Sequence, residues 1–159
     1  MSRDCFKKYR LLSAFCLLIF KTGAQPLSFS NLNTSNGLSD NNVQSVAIDQ
    51  KGFLWIGTID GLNVYDGYAI TTYKKETQPE IAANNIIHMT CDSRNRVWLG
   101  THEGITWLDE NRRFHRVMLN DSVAKFGCRT IMDTKKYGPV LYTSLGEFFL
   151  MNRRINGKN

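Results

Sequence analysis

The sequence predicts an all-β fold assembled from repeated four-stranded units, and three observations predict it. Gly52 to Gly61, GFLWIGTIDG, returns 43 residues later as Asn95 to Gly104, NRVWLGTHEG, which aligns Trp55 with Trp98, Gly57 with Gly100, Thr58 with Thr101 and Gly61 with Gly104. The register runs on to Asp49 and Asp92 upstream and to Asp66 and Asp109 downstream, so the repeat is a whole supersecondary element. From Gln25 onward no segment sustains a 3.6-residue apolar period, and short β-branched runs bounded by Gly, Asp and Asn recur instead. Finally, one small sheet cannot bury both of its faces, so Trp55 and Trp98 need apolar partners from a neighbouring sheet, which stacking of units supplies.

The elements follow in chain order. Residues 1–24 have a basic start (Arg3, Lys7, Lys8, Arg10), an apolar run from Leu11 to Phe20, and small residues Thr22 and Ala24 before Gln25. This is the pattern of a secretory signal peptide, and the apolar run is half the roughly 20 residues a membrane span needs. Cys16 follows Ser13, Ala14 and Phe15, without the small neighbour of a lipidated cysteine. Leu27 to Leu32 reads as an outermost strand ahead of the loop TSNGLSDNN.

In residues 43–74, the first blade, VQSVAID, the run from Phe53 to Thr58, the run from Leu62 to Asp66, and AITTYK make four strands. Asp49 followed by Gly52 suits a type I turn closed by a left-handed residue, with the Asp side chain capping its own turn. Asp92 with Asn95 repeats it, since Asn tolerates that conformation best after Gly. Residues 86–118 form the second blade. Residues 127–151 form an incomplete third, with Val140 in the tryptophan position and Gly146 at 42 residues from Gly104. Residues 152–159 are a polar tail. Gly57 and Gly100, inside strands, fit places where the neighbouring sheet comes close. Period and strand count fit a partial β-propeller of about three blades with a WxGTxxG repeat.

The segment NGLSDNNVQSVAIDQKGFLWIGTIDGLNVYDG closely resembles the repeat of the two-component regulator propeller family, with its GLS-x-N-x-V opening, D-x-x-G-x-x-W-x-G-T-x-x-G-L core and closing Y-D. The likeness spans Leu27 to Met151, specific in the first unit and loose in the third. It implies the periplasmic sensing region of a hybrid two-component sensor, often one that answers to oligosaccharides. The partners it implies are a small extracellular ligand, the remaining blades and downstream kinase of a full-length relative, and a second copy in a homodimer. The competing readings are a secreted carbohydrate-binding or scaffolding propeller without a signalling role, and a propeller enzyme such as a lyase. Three blades leave both end faces uncovered, so residues 25–159 alone are expected to associate and to bind no glycan specifically.

Composition narrows the function classes. The net charge of +6 is concentrated in the leader, and from Gln25 onward 15 basic side chains face 13 acidic ones, which removes the case for nucleic-acid binding. No HExxH, GxSxG, P-loop, CxxC or dinucleotide fingerprint occurs. His88, His102 and His115 sit on different strands or turns without metal-ligand spacing, and no catalytic, metal or cofactor residue is expected. His102, beside Glu103, reads as turn polarity, and the pairs Arg112–Arg113 and Arg153–Arg154 as exposed loop charge. Cys91 takes the place of Ile48, expected to be buried. Cys128 begins the matching strand of the third unit, and packed sheets about 10 Å apart argue against a bridge between the two thiols.

Overall fold

A computed structural model describes residues 30–119, 122–123, 127–134, 136–144, 146 and 148–150. The expected leader and polar tail lie outside these residues, as does most of the expected outer strand; Ser30 to Leu32 carry no strand. From Leu32 onward the described residues belong to one compact unit.

A 3-10 turn, Thr34–Asn36, starts on a reciprocal capping box between Asn33 and Asn36, and Gly37 closes its other end at φ 100°. The first sheet then runs in order β1 (Val43–Ile48), β2 (Leu54–Thr58), β3 (Gly61–Tyr65), β4 (Ile70–Tyr73), all antiparallel. The second repeats it as β5 (His88–Cys91), β6 (Val97–Thr101), β7 (Gly104–Leu108), β8 (Phe114–Arg116). A short ribbon, β9 (Met118–Leu119) with β10 (Ser122–Val123), was not foreseen; it precedes the three described strands of the third sheet, β11 (Cys128–Thr134), β12 (Gly138–Thr143) and β13 (Phe148–Leu150).

The chain is therefore all-β, built from four-stranded meanders of the propeller type, and its core lies between the sheets. Between the first two blades, Trp55, Leu62 and Val64 meet Met89, Val97, Leu99 and Leu108, with Ile81 and Ile86 from the connecting segment. Tyr73 and Phe114 finish this seam edge to face at 5.2 Å. Between the second and third blades, Trp98 and Ile105 meet Cys128, Ile131 and Leu141.

The glycines of the repeat fix the closeness of these seams. A Cβ on Gly57 would lie 2.8 Å from Ile86 Cγ2 and 2.9 Å from its Cβ; one on Gly100 would lie 2.5 Å from Cys128 Sγ and 2.8 Å from its Cβ. Each of the first two blades thus seats the first core residue of the next blade on a bare backbone, and any side chain there would displace it. In the third blade the cross-strand register puts Tyr142 at this position and Val140 at that of Trp55 and Trp98.

The expectation that Ile48 is buried is corrected: it is 67% exposed, and Cys91 is half-buried. This side of β1 has no sheet against it among the described residues, whereas the same side of β5 meets the first blade.

Candidate functional site

Each recurring position of the WxGTxxG repeat has an identifiable task. In the first turn Asp49 Oδ1 accepts from the amides of Lys51 (2.9 Å) and Phe53 (3.0 Å), while Oδ2 accepts from Trp55 Nε1 at 3.0 Å. Gly52 closes the turn at φ 85°, with its amide on Asp49 O at 3.0 Å. Asp92 does the same for Arg94 (2.9 Å), Arg96 (2.9 Å) and Trp98 Nε1 (2.9 Å), and Asn95 closes that turn at φ 58°. Thr58 Oγ1 donates to Gly61 O at 3.1 Å and accepts from Asp60 N, and Thr101 Oγ1 donates to Gly104 O at 2.9 Å and accepts from Glu103 N. Gly61 and Gly104 hold φ 147° and 142°, which disfavour any side chain. All twelve repeat residues singled out in the sequence thus serve turns, hairpins and seams.

Two arrangements were missed by the sequence reading. Arg112, expected to be solvated, has φ 61° and places its guanidinium 4.4 Å from the Phe53 ring centroid, reaching from the second blade across to the first. Its turn repeats those of Asp49 and Asp92: Asp109 Oδ1 accepts from the amides of Asn111 and Arg113, both at 2.9 Å, and Arg112 stands where Gly52 and Asn95 close the other two. Second, Arg96 Nε donates to Asp92 Oδ2 at 2.6 Å while its guanidinium lies 5.0 Å from the Trp98 ring and 5.4 Å from Trp107. Trp107 in turn stacks on His115 at 4.2 Å, and His115 Nε2 lies 3.2 Å from Asp109 Oδ2. His115 is therefore tied to its own blade, while His102 is exposed.

The rim formed by the β2–β3 turns and the segment between β4 and β5 carries the one concavity we assign as a candidate site. It is an open groove of about 390 Å³ lined by Asp60, Thr72, Lys74, Glu76, Thr77 and Asn84. Lys74 Nζ pairs with Asp60 Oδ2 at 2.6 Å, and Asn84 Nδ2 reaches Glu76 at 3.2 Å. Next to it Lys75 Nζ meets Glu103 Oε2 at 2.9 Å. A backbone hydrogen bond, helped by Asn84, holds the Glu76 carboxyl below its ordinary range, and the Lys75 ammonium does so for Glu103. These groups can donate hydrogen bonds to a polar ligand and accept them from it. Among the described residues no cluster of three or more His, Cys, Asp or Glu could hold a metal ion.

Residues 37–60 and 80–103 match the profile described as "Two component regulator propeller". The chain thus contains two stretches similar to the repeat of that family. Each matched stretch begins at the segment clamped onto the third strand: Ser39 N donates to Asn63 Oδ1 at 2.9 Å, and Ala82 N to Thr106 Oγ1 at 3.2 Å. The chain is 31% identical over 68 residues to Histidine kinase P4 of Formosa agariphila, a stretch that is 43% of this chain and 5% of that protein. Its fold is similar to the extracellular domain of BT3049 from B. thetaiotaomicron, described as a hybrid two component system, with TM-score 0.59 and 25% identity over 77% of this chain and 20% of that one. The extracellular domain of BT4673 from the same organism is similar in fold at TM-score 0.55 and 16% identity, over 80% of this chain and 18% of that one. The chain thus corresponds to a small part of each relative.

The two thiols among the described residues, Cys91 and Cys128, are both free. Cys128 is 3% exposed, and burial pushes its pKa up to about 12. Burial also raises that of Cys91, with Asp49 and Asp92 adding to it. Iodoacetamide at pH 8 is expected to label Cys91 in the folded protein and to leave Cys128 unmodified, while both react without reductant after denaturation; a linked peptide pair in a non-reduced digest contradicts this. Because an unfolded thiol loses its proton near 9.0 and Cys128 only near 12, the contribution of this site to stability is intact below pH 9 and declines as pH rises from there.

Proposed function

We propose that this chain is part of the ligand-sensing propeller of a hybrid two-component sensor, exported to the periplasm and reading a small extracellular ligand, with oligosaccharides as the first class to test. The single observation that carries the reading is the fold match to the BT3049 extracellular domain over 77% of this chain. The paired regulator-propeller repeats and the aligned stretch of Histidine kinase P4 support it. The polar groove between Asp60, Lys74, Glu76 and Asn84 supplies hydrogen-bonding groups suited to a hydroxyl-rich ligand, and its openness suits a site completed by neighbouring blades. Signalling is the part of a kinase outside these residues.

The coding sequence past Asn159 tests this reading. Further blades, a membrane helix and a histidine-kinase region in frame support the sensor; a stop codon with none of these favours a secreted propeller.

A further inference from the structure

The groove between the β2–β3 turn and the segment from Lys74 to Asn84 is built mostly of acceptors. Lys74 O receives the amides of Thr77 at 3.1 Å and Gln78 at 2.8 Å and the Thr77 hydroxyl at 3.1 Å, which folds the segment into a tight turn. Asn84 braces that turn: its Oδ1 accepts from Lys75 N at 2.7 Å, and its Nδ2 reaches both carboxylate oxygens of Glu76 at 3.2 Å. Glu76 is thereby oriented by a neighbour that carries no charge. The hydroxyl proton of Thr72 goes to Asn63 Oδ1 at 2.8 Å and that of Thr77 to Lys74 O, so toward a ligand both threonine oxygens act as acceptors. Lys74 Nζ engages Asp60 Oδ2 at 2.6 Å, which leaves Asp60 Oδ1 as a further acceptor. Lys75, next in sequence, is paired with Glu103 at 2.9 Å. The lining therefore sets two carboxylates against one ammonium, and among the described residues no cation pairs with Glu76.

We propose that this groove selects an amino sugar whose amine is unacylated, a primary ammonium on a hydroxyl-bearing ring, and that Glu76 is the residue that selects it. The inference deepens the sensor reading and rests on it for taking a sugar as the ligand. An ammonium brings three donors and no acceptor, the complement of a lining whose open capacity is the Glu76 carboxylate, Asp60 Oδ1 and two threonine oxygens. Its charge also balances the carboxylate that Lys74 leaves uncompensated. A uronic or sulfated sugar adds another anion beside Glu76 and meets few donors, which counts against it. An N-acylated sugar loses the charge and two of the three N–H donors. Because Asn84 holds the Glu76 carboxylate in place before any ligand arrives, the contact needs little further ordering. Every lining residue belongs to the first blade or to the segment that follows it, so this contact forms without further blades, at the modest strength of one exposed ion pair.

Ligand-observed saturation-transfer NMR on the full chain tests this, because it reads weak binding and tolerates self-association of the protein. The probes are D-glucosamine, N-acetyl-D-glucosamine and D-glucuronate, at a mildly acidic pH where the amine is protonated. Glucosamine is expected to bind about fivefold more tightly than its acetylated form, the ratio one exposed ion pair supplies, and glucuronate to give no saturable transfer. Glu76→Gln is expected to erase the preference. Glu110→Gln, the same change of charge on the exposed β7–β8 turn at the other end of the blades, is expected to preserve it. Glucosamine bound no better than N-acetylglucosamine, saturable binding of glucuronate, or a preference that survives Glu76→Gln overturns the proposal. Absence of binding by all three sugars overturns it as well, while the sensor reading is judged separately, on the coding sequence past Asn159.

Discussion

Trp98→Ala is expected to lower the stability of the folded protein by about 3–5 kcal/mol, the range for emptying an aromatic core site. The ring is 0% exposed and sits at the seam of the second and third blades with Ile105, Ile131 and Leu141. It also stacks on Trp107 at 5.8 Å and under the Arg96 guanidinium, so its removal loosens its own sheet as well as the seam. Trp55→Ala falls in the same range, since Trp55 is 2% exposed in the equivalent seam. Urea unfolding followed by circular dichroism measures both. A loss under about 1 kcal/mol would mean that the ring is not a core residue.

Asp92→Ala is expected to cost about as much, roughly 3–5 kcal/mol, for a different reason. The carboxylate accepts from two turn amides, from Trp98 Nε1 and from Arg96 Nε, and its side chain is 1% exposed against 13% for Arg96. Its loss leaves a buried indole N–H without a partner and a nearly buried guanidinium without an anion. Asp49 supports the same turn and indole, but Phe53 stands where Arg96 does, so Asp49→Ala should cost less, about 2–3 kcal/mol. Unfolding curves rank the two variants. Equal or reversed losses would remove the arginine from the account.

The positions legible in the sequence were those where one residue type satisfies a local requirement. Trp55 and Trp98, Gly57 and Gly100, and the turn residues Asp49, Gly52, Asp92 and Asn95 recur at a fixed interval because the first two blades have the same turn and each presents the same face to the next blade. Features made once were not legible. Arg112 lies over Phe53 because an arginine takes the left-handed place of the Asp109 turn, where Gly52 and Asn95 stand in the equivalent turns, and Tyr142 breaks the glycine pattern at a place only the cross-strand register identifies. Ile48 was misread for a related reason: its hydrophobicity states what the position packs against in a seam, and the sheet on that side is absent from the described residues. The groove at Asp60, Lys74 and Asn84 had no signal at all, since it is assembled from a hairpin turn and a connecting segment whose fold depends on the stacking of two blades.

The central claim is that seams between stacked sheets hold this fold together, and native-state hydrogen exchange read by mass spectrometry tests it most directly. β1 and β5 are equivalent edge strands that differ in whether a preceding blade covers them. The account predicts the slowest exchange in β6 and β7, between two seams, and clearly slower exchange in β5 than in β1. Equal protection of β1 and β5, or exchange in β6 as fast as in the turns, would contradict it.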